Sequence, residues 1–348
     1  MFSYLLENIL AEETRIPCLN KRLCLNYRVP STICQRCLAA CPAKAIKLPG
    51  RLPSFDKTLC SGCGTCTAAC ISGALEIKHF PWKKLFEKAR TCNFTIGCSA
   101  SVAHTCTIPC LGGLSGEILA TITLLRGNHP FALDLSPCAN CSSLSSLQQL
   151  WRSLETGKLL LGTFLPIRFH FIQTGNKVTL LSRREMLQDT GKQLMVLSEQ
   201  MIQNVFPSGH DPDRSQRSSL LAAAKQSKNA PLTFPTWHVN NACNGCSRCQ
   251  AVCPQKAWKL IINDGVVKIW HYPARCTGCT LCARICPAGA KEESRVIVQS
   301  DWGKPHFKYS TKAVFCSRCK LRAVSSGKKN LLCPVCQKKM HLEKTQFH

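Results

Sequence analysis

Cysteine is the residue whose type and spacing carry chemistry in this chain: there are 27, most of them in runs of C-x-x-C and C-x-x-x-C. A thiolate is a soft, anionic donor, so the chemistry within reach is disulfide formation or the binding of zinc or iron. Cysteines two or three residues apart make poor structural cross-links but good clamps on one metal centre. Disulfide scaffolds belong to short secreted chains with too little core. A chain of 348 residues, 45% of them hydrophobic, has no such need. The spacing supports metal.

The cleanest run reads Cys243-x2-Cys246-x2-Cys249-x3-Cys253-Pro254, then Cys276-x2-Cys279-x2-Cys282-x3-Cys286-Pro287. This spacing resembles the bacterial two-cluster ferredoxins. In that family three closely spaced thiolates wrap three corners of one cubane, while the fourth is carried away on a short helix to the other. The resemblance implies one 4Fe–4S cluster on Cys243, Cys246, Cys249 and Cys286, and a second on Cys276, Cys279, Cys282 and Cys253. Between the runs, KLIINDGVVKIW reads as a hairpin around Asn263-Asp264-Gly265, as the family requires.

An earlier, irregular copy follows the same logic. Cys60-x2-Cys63-x2-Cys66-x3-Cys70 is intact, although Ile71 stands where proline is usual. The other half offers Cys34-x2-Cys37-x3-Cys41-Pro42, with Ser31 in place of the leading cysteine. By the same resemblance Cys60, Cys63, Cys66 and Cys41 hold one cluster. Cys34, Cys37 and Cys70 need a fourth thiolate from upstream, where Cys18 and Cys24 lie. Cys24 is preferred because it is nearer and precedes a polar, turn-capable segment. The alternative is a three-cysteine 3Fe–4S centre or a labile cluster.

Two further groups remain. Residues 90–141 carry Cys92, Cys98, Cys106, Cys110, Cys138 and Cys141 in a β–α–β rhythm: strand-like FTIGCS, helix-like SGEILATITLLRG, then strand-like FALDL before SPCANC. The order resembles the small iron–sulfur delta subunit of heterodisulfide reductase and hydrogenase systems. A fifth cluster is expected here, with zinc or unliganded buried thiols as alternatives; Cys98, Cys110, Cys138 and Cys141 are the chosen ligands, because Cys110 and the C-x-x-C pair sit at loop ends. The tail, Cys316-x2-Cys319-x13-Cys333-x2-Cys336, looks like a zinc ribbon, in which four thiolates close a tetrahedron and stabilise a segment too small to fold alone, with iron in a rubredoxin-like knuckle as the alternative.

The elements needed to position these thiols give an α+β chain. Two ferredoxin-like domains, residues 1–80 and 237–300, flank an α/β middle domain at 81–206. Residues 207–236, rich in Ser, Pro, Lys and Arg, read as an exposed linker. Residues 301–348 form the zinc-ribbon-like tail. Strand-like FHFIQ and KVTLL precede a helical stretch over 183–206, opened by the capping box Ser182-x-x-Glu185. The first 15 residues carry Glu7, Glu12 and Glu13 and lack a long apolar core, so no export signal is expected. The longest apolar stretch, 159–167, is too short to span a bilayer. The expected compartment is the reducing cytoplasm.

The formal net charge of +26 counts every cysteine as neutral. Five clusters at about −2 each and a four-thiolate zinc site would remove about 12 charges, leaving the chain basic at roughly +14. An acidic redox partner is implied: a ferredoxin, a flavoprotein or a catalytic subunit. Arg248, Lys256, Arg275 and Arg284 are placed to steer it. No G-x-G-x-x-G after a strand, no P-loop and no C-x-x-x-C-x-x-C triplet occurs. Many clusters without a substrate motif read as an electron relay. An enzyme with the middle cysteines as its active site is the second reading. Nucleic-acid binding is the weakest, because the basic residues are dispersed and 320–344 has few aromatics for stacking.

Overall fold

The computed structural model describes residues 15–29, 34–78, 80–102, 104–127, 129–141, 144–162, 167, 169–172, 216–227, 230–298, 302–313, 315–316 and 318. They fall into two compact units, Met1–Leu232 and Thr233–His348.

The first unit begins with very short elements: β1 (Cys18–Leu19), α1 (Leu25–Arg28), α2 (Arg36–Ala40), β2 (Ile46–Lys47), β3 (Ser54–Phe55), α3 (Thr65–Ala69) and β4 (Leu75–Glu76). Antiparallel pairing joins β1 to β4 and β2 to β3, and α2 packs on α3. The core between them is small: Ile46, Cys66 and Leu75 are buried, with Leu19, Leu38 and Phe55 against them. Helices of four or five residues cannot stand alone in water. Their stability must come from tertiary packing.

The same unit continues through α4 (Trp82–Lys88), β5 (Thr95–Gly97), β6 (Cys106–Thr107), α5 (Gly116–Leu125), β7 (Phe131–Asp134), α6 (Leu144–Leu161), β8 (Phe169–Ile172) and α7 (Gln216–Gln226). The strands form a parallel sheet in the order β6-β5-β7-β8. Ser115 caps α5, its hydroxyl accepting from the Ile118 N–H at 3.3 Å. This helix is buried almost all round, as its apolar sequence dictates. It lies so close to α6 that a Cβ on Gly116 would fall 2.8 Å from the Gly157 nitrogen. Just past α5, the Arg126 guanidinium donates to the carbonyls of Ala89 and Thr91, both at 2.8 Å, and to that of Pro130 at 3.0 Å.

Residues 216–226, within the stretch 207–236 whose composition suggests an exposed linker, are helical instead. Here α7 buries Leu220, Ala223 and Ala224, and Arg217 pairs with Glu117 of α5 at 2.6 Å. Those three apolar residues sit at i, i+3 and i+4, enough for one buried stripe inside a polar sequence. The expected strand KVTLL and the helix over 183–206 lie outside the described residues.

The second unit holds β9 (Leu232–Val239), α8 (Arg248–Val252), β10 (Trp258–Asn263), β11 (Val266–His271), α9 (Leu281–Arg284), β12 (Lys291–Val298) and β13 (His306–Lys312). β9 pairs with β12, and β10-β11-β13 form a second sheet. The hairpin turns at Asp264 and Gly265, whose φ values of 48° and 72° give the left-handed pair that a two-residue connection needs. β13 pairs with β11 antiparallel, so this unit runs on past the boundary drawn at residue 300.

Candidate metal centres

The cysteine loops share a backbone device. In Cys60–Cys66, Cys243–Cys249 and Cys276–Cys282, the residue before the middle cysteine is a glycine at φ 67° or 68°: Gly62, Gly245 and Gly278. The residue after it is again left-handed: Gly64 at 79°, Ser247 at 62° and Thr280 at 59°. Two left-handed residues around a cysteine curl the chain so that three side chains converge on one side. The fourth cysteine of each run ends its helix in a second repeated turn. Lys44, Gly73, Lys256 and Gly289 stand three residues after Cys41, Cys70, Cys253 and Cys286, with φ between 51° and 63°. The N–H one residue further on then points at sulfur: Ala45 donates to Cys41 Sγ at 3.3 Å, Ala74 to Cys70 at 3.2 Å and Ala257 to Cys253 at 3.3 Å.

In the second unit these turns gather Cys253, Cys276, Cys279 and Cys282 around a cavity closed by Trp237, Trp258 and Leu281. Burial pushes the Cys282 thiol up to about 12 and Cys276 up to about 11, and the neighbouring thiols push further. Cys243, Cys246 and Cys249 form the other set. The charge of Cys286 bears on Cys243, and burial holds Cys249 up at about 11. Cys249, Cys276 and Cys282, raised this far, stay protonated at neutral pH unless a cationic core displaces their protons.

The first unit repeats the crossing. Cys41 joins Cys60, Cys63 and Cys66 around a second cavity, next to Ile46 and Phe55. Burial raises the Cys66 thiol strongly, with Cys63, Cys60 and Cys41 adding to it. Cys37 is pushed up to about 12 by burial and then by Cys70 and Cys34. Cys24 is buried, and Cys70 and Cys34 both bear on its charge. Asn26 brings this about. Its side chain donates to the Cys34 carbonyl at 3.0 Å and accepts from the Cys34 N–H at 2.6 Å, pinning the upstream segment against the cysteine loop. Cys18 instead sits exposed in β1, opposite Glu76. The buried Asn26 is the functional residue that spacing alone does not reveal.

The middle cysteines gather where parallel strands end. Cys98 follows β5, and Cys138 and Cys141 follow β7. Burial lifts Cys138 to about 11, with Cys110, Cys98 and Cys141 contributing. Cys110 is also raised by burial and, in part, by Cys63. Between those two sites Thr65 Oγ1 and Ser146 Oγ are hydrogen-bonded at 3.0 Å, Thr65 lies 3.4 Å from Cys63 Sγ, and Ser146 bonds to the Cys110 thiol. A Cβ on Gly113 would fall 2.8 Å from the Cys63 carbonyl, so only glycine allows this approach. Cys92 and Cys106 stand apart from this set, exposed and buried respectively.

Of the tail cysteines, Cys316 is described and fully buried, while Cys319, Cys333 and Cys336 lie outside the described residues. Among the described residues, no three His, Cys, Asp or Glu side chains converge as a single-ion site. The thiols described above ring spaces instead of meeting at a point. Soft donors around a small apolar cavity, with N–H groups aimed at sulfur, fit an iron–sulfur cubane.

Residues 242–290 match the family model of the 4Fe-4S dicluster domain. That segment is therefore an iron–sulfur domain, and an electron-transfer role in general follows from it. No curated protein matches the chain. Among the described residues, no helix is long and apolar enough to cross a membrane.

Proposed function

We propose that the chain is a multi-cluster electron relay with five 4Fe–4S clusters, passing electrons between an acidic ferredoxin or flavoprotein and a catalytic subunit. In the second unit Cys243, Cys246, Cys249 and Cys286 hold one cluster, and Cys276, Cys279, Cys282 and Cys253 the next. In the first unit the sets are Cys24, Cys34, Cys37 and Cys70, then Cys60, Cys63, Cys66 and Cys41, then Cys98, Cys110, Cys138 and Cys141. A zinc ion sits on Cys316, Cys319, Cys333 and Cys336. When bound, each cluster supplies one-electron chemistry at a potential tuned by hydrogen bonds to sulfur, charge and solvent access. The protein's part is to fix the thiols, exclude water and aim N–H groups at sulfur.

One observation carries this reading. Cys41 and Cys70 lie beside each other's cysteine runs, and the same exchange relates Cys253 and Cys286. Anaerobic reconstitution with iron, sulfide and zinc, followed by elemental analysis, tests it. About 20 iron atoms and one zinc per chain are expected, at four irons per cluster. Fewer than about 12 irons overturns the five-cluster reading, and absence of zinc overturns the ribbon.

An enzymatic reading draws on the middle site, where Cys141 is exposed beside Cys138. An exposed ligand can yield its iron to a substrate sulfur. Turnover of a heterodisulfide by the isolated chain would favour that reading, and its absence favours the relay.

A further inference from the structure

The second unit buries a lysine where the first buries a leucine. Lys291 stands five residues after Cys286, as Leu75 stands five after Cys70, and both are under 9% exposed. The Lys291 ammonium lies 3.5 Å from the centroid of the Trp258 ring. Trp258 in turn occupies the place of Ile46, five residues after Cys253 as Ile46 is after Cys41. Among the described residues, Lys291 Nζ meets no hydrogen-bond acceptor. His271, pressed on the same ring at 4.5 Å, has neither ring nitrogen satisfied and is held neutral, its pKa down at about 3 through burial and then nearby Lys308.

A buried ammonium with no acceptor is strongly unfavourable unless an opposite charge faces it. The ring face contributes part of that compensation. The remainder is the net negative charge of the dicluster domain's thiolates and cores, about −2 per site. Trp258 lines the cavity ringed by Cys253, Cys276, Cys279 and Cys282 and shares its core with Cys249, against which Cys243 packs, so the ammonium sits over the wall of both sites.

We propose that Lys291, held on Trp258, is a positioning charge that raises the reduction potential of both clusters in the second unit above that of their counterparts in residues 18–77. The comparison rests on the cluster assignment given under Proposed function; the role of Lys291 itself requires only the dicluster domain. Reduction takes one electron from a low-potential donor, breaks no bond and needs no proton. The negative charge facing Lys291 grows by one unit, so the reduced state gains more from the ammonium than the oxidised state does. Leu75 offers no such gain, and electrons therefore collect in the second unit.

The test is a mediated redox titration of the reconstituted full chain, followed by electron paramagnetic resonance. In Lys291→Met, the ratio of reduced to oxidised cluster in the second unit, at fixed applied potential, is expected to fall about tenfold. Lys291→Arg should stay close to wild type, and the clusters of residues 18–77 should not move in either variant. If Lys291→Met does not retain its iron, Lys291→Gln is titrated in its place under the same criteria. Unchanged ratios with both clusters present overturn the proposal. A wild-type chain that takes up no iron at its eight cysteines from Cys243 to Cys286 overturns the cluster reading beneath it.

Discussion

Residues 18–77 and 233–298 use one backbone plan with different fillings. Each has two short cysteine-bearing helices with a strand pair between them, a second pair made of one strand before and one after, and the same left-handed turn three residues past the cysteine that crosses over. The Asn20 N–H bonds to the Ala74 carbonyl at 2.8 Å as Asn240 does to Ala290 at 3.1 Å. Asp56 bonds to Ala45 as Tyr272 does to Ala257, both at 2.8 Å. The centre differs: Ile46, Phe55 and Leu75 in the first region, Trp258, His271 and Lys291 in the second. One loop differs too. Gln35, in the position of Gly64, Ser247 and Thr280, has φ −120° and not a left-handed value. A loop that does not curl cannot present three thiols by itself, and there Asn26 brings the buried Cys24 alongside.

The largest expected effect breaks the two regions together. Stripping iron from the reconstituted protein with a chelator should abolish amide protection in both regions, since the core of each is interleaved with its cysteines. Helix α5, buried against α6, should stay protected. Hydrogen exchange measured by mass spectrometry reads this, and protection persisting in residues 18–77 would mean that its aliphatic core suffices without metal.

Cysteine variants sharpen the contrast at a single cluster. Cys24→Ala should lose about four irons, or convert one cluster to a three-iron signal, while Cys18→Ala retains full iron content. Cys243→Ala is the equivalent loss in the other region. Iron analysis with electron paramagnetic resonance separates the cases; a loss in the Cys18 variant instead would move the fourth ligand to β1.

Cluster assembly should also be linked to pH in the same sense in both regions. Burial raises the folded thiols Cys37 and Cys282 to about 12 from 9.0, so near neutrality they bind their protons more tightly than in an open chain. Assembly must displace those protons, about four per cluster, and becomes less favourable as pH falls. Buffer-dependent calorimetry or a pH-stat counts them. A release near zero would mean that the thiols are already ionised.

The smallest effect concerns the shared turn. Lys44 and Lys256 adopt φ of 51° and 52°, where a Cβ is strained. Glycine at either place should stabilise by about 0.5–1 kcal/mol, after allowing for its greater freedom in the unfolded chain. Denaturant midpoints of cluster bleaching would show equal shifts for the two variants if the turns are equivalent.

Local chemistry was legible in the sequence wherever one short segment decides it. The C-x-x-C spacing, the Asn263-Asp264-Gly265 hairpin and the helix-like run from Ser115 all act within a few residues of themselves. The helix inside 207–236 was not legible, because three small apolar side chains are outweighed by polar neighbours until α5 supplies a surface to bury them. Where Cys18 and Cys24 sit was left to tertiary structure as well. Both lie upstream at plausible distances; the fold leaves Cys18 exposed and buries Cys24, whose segment Asn26 ties to Cys34. Likewise Lys291 reads in sequence as one basic residue among 45 lysines and arginines. Its burial over Trp258 depends on two strands that meet only in the folded chain, because electrostatics and packing act across space and spacing acts along the chain.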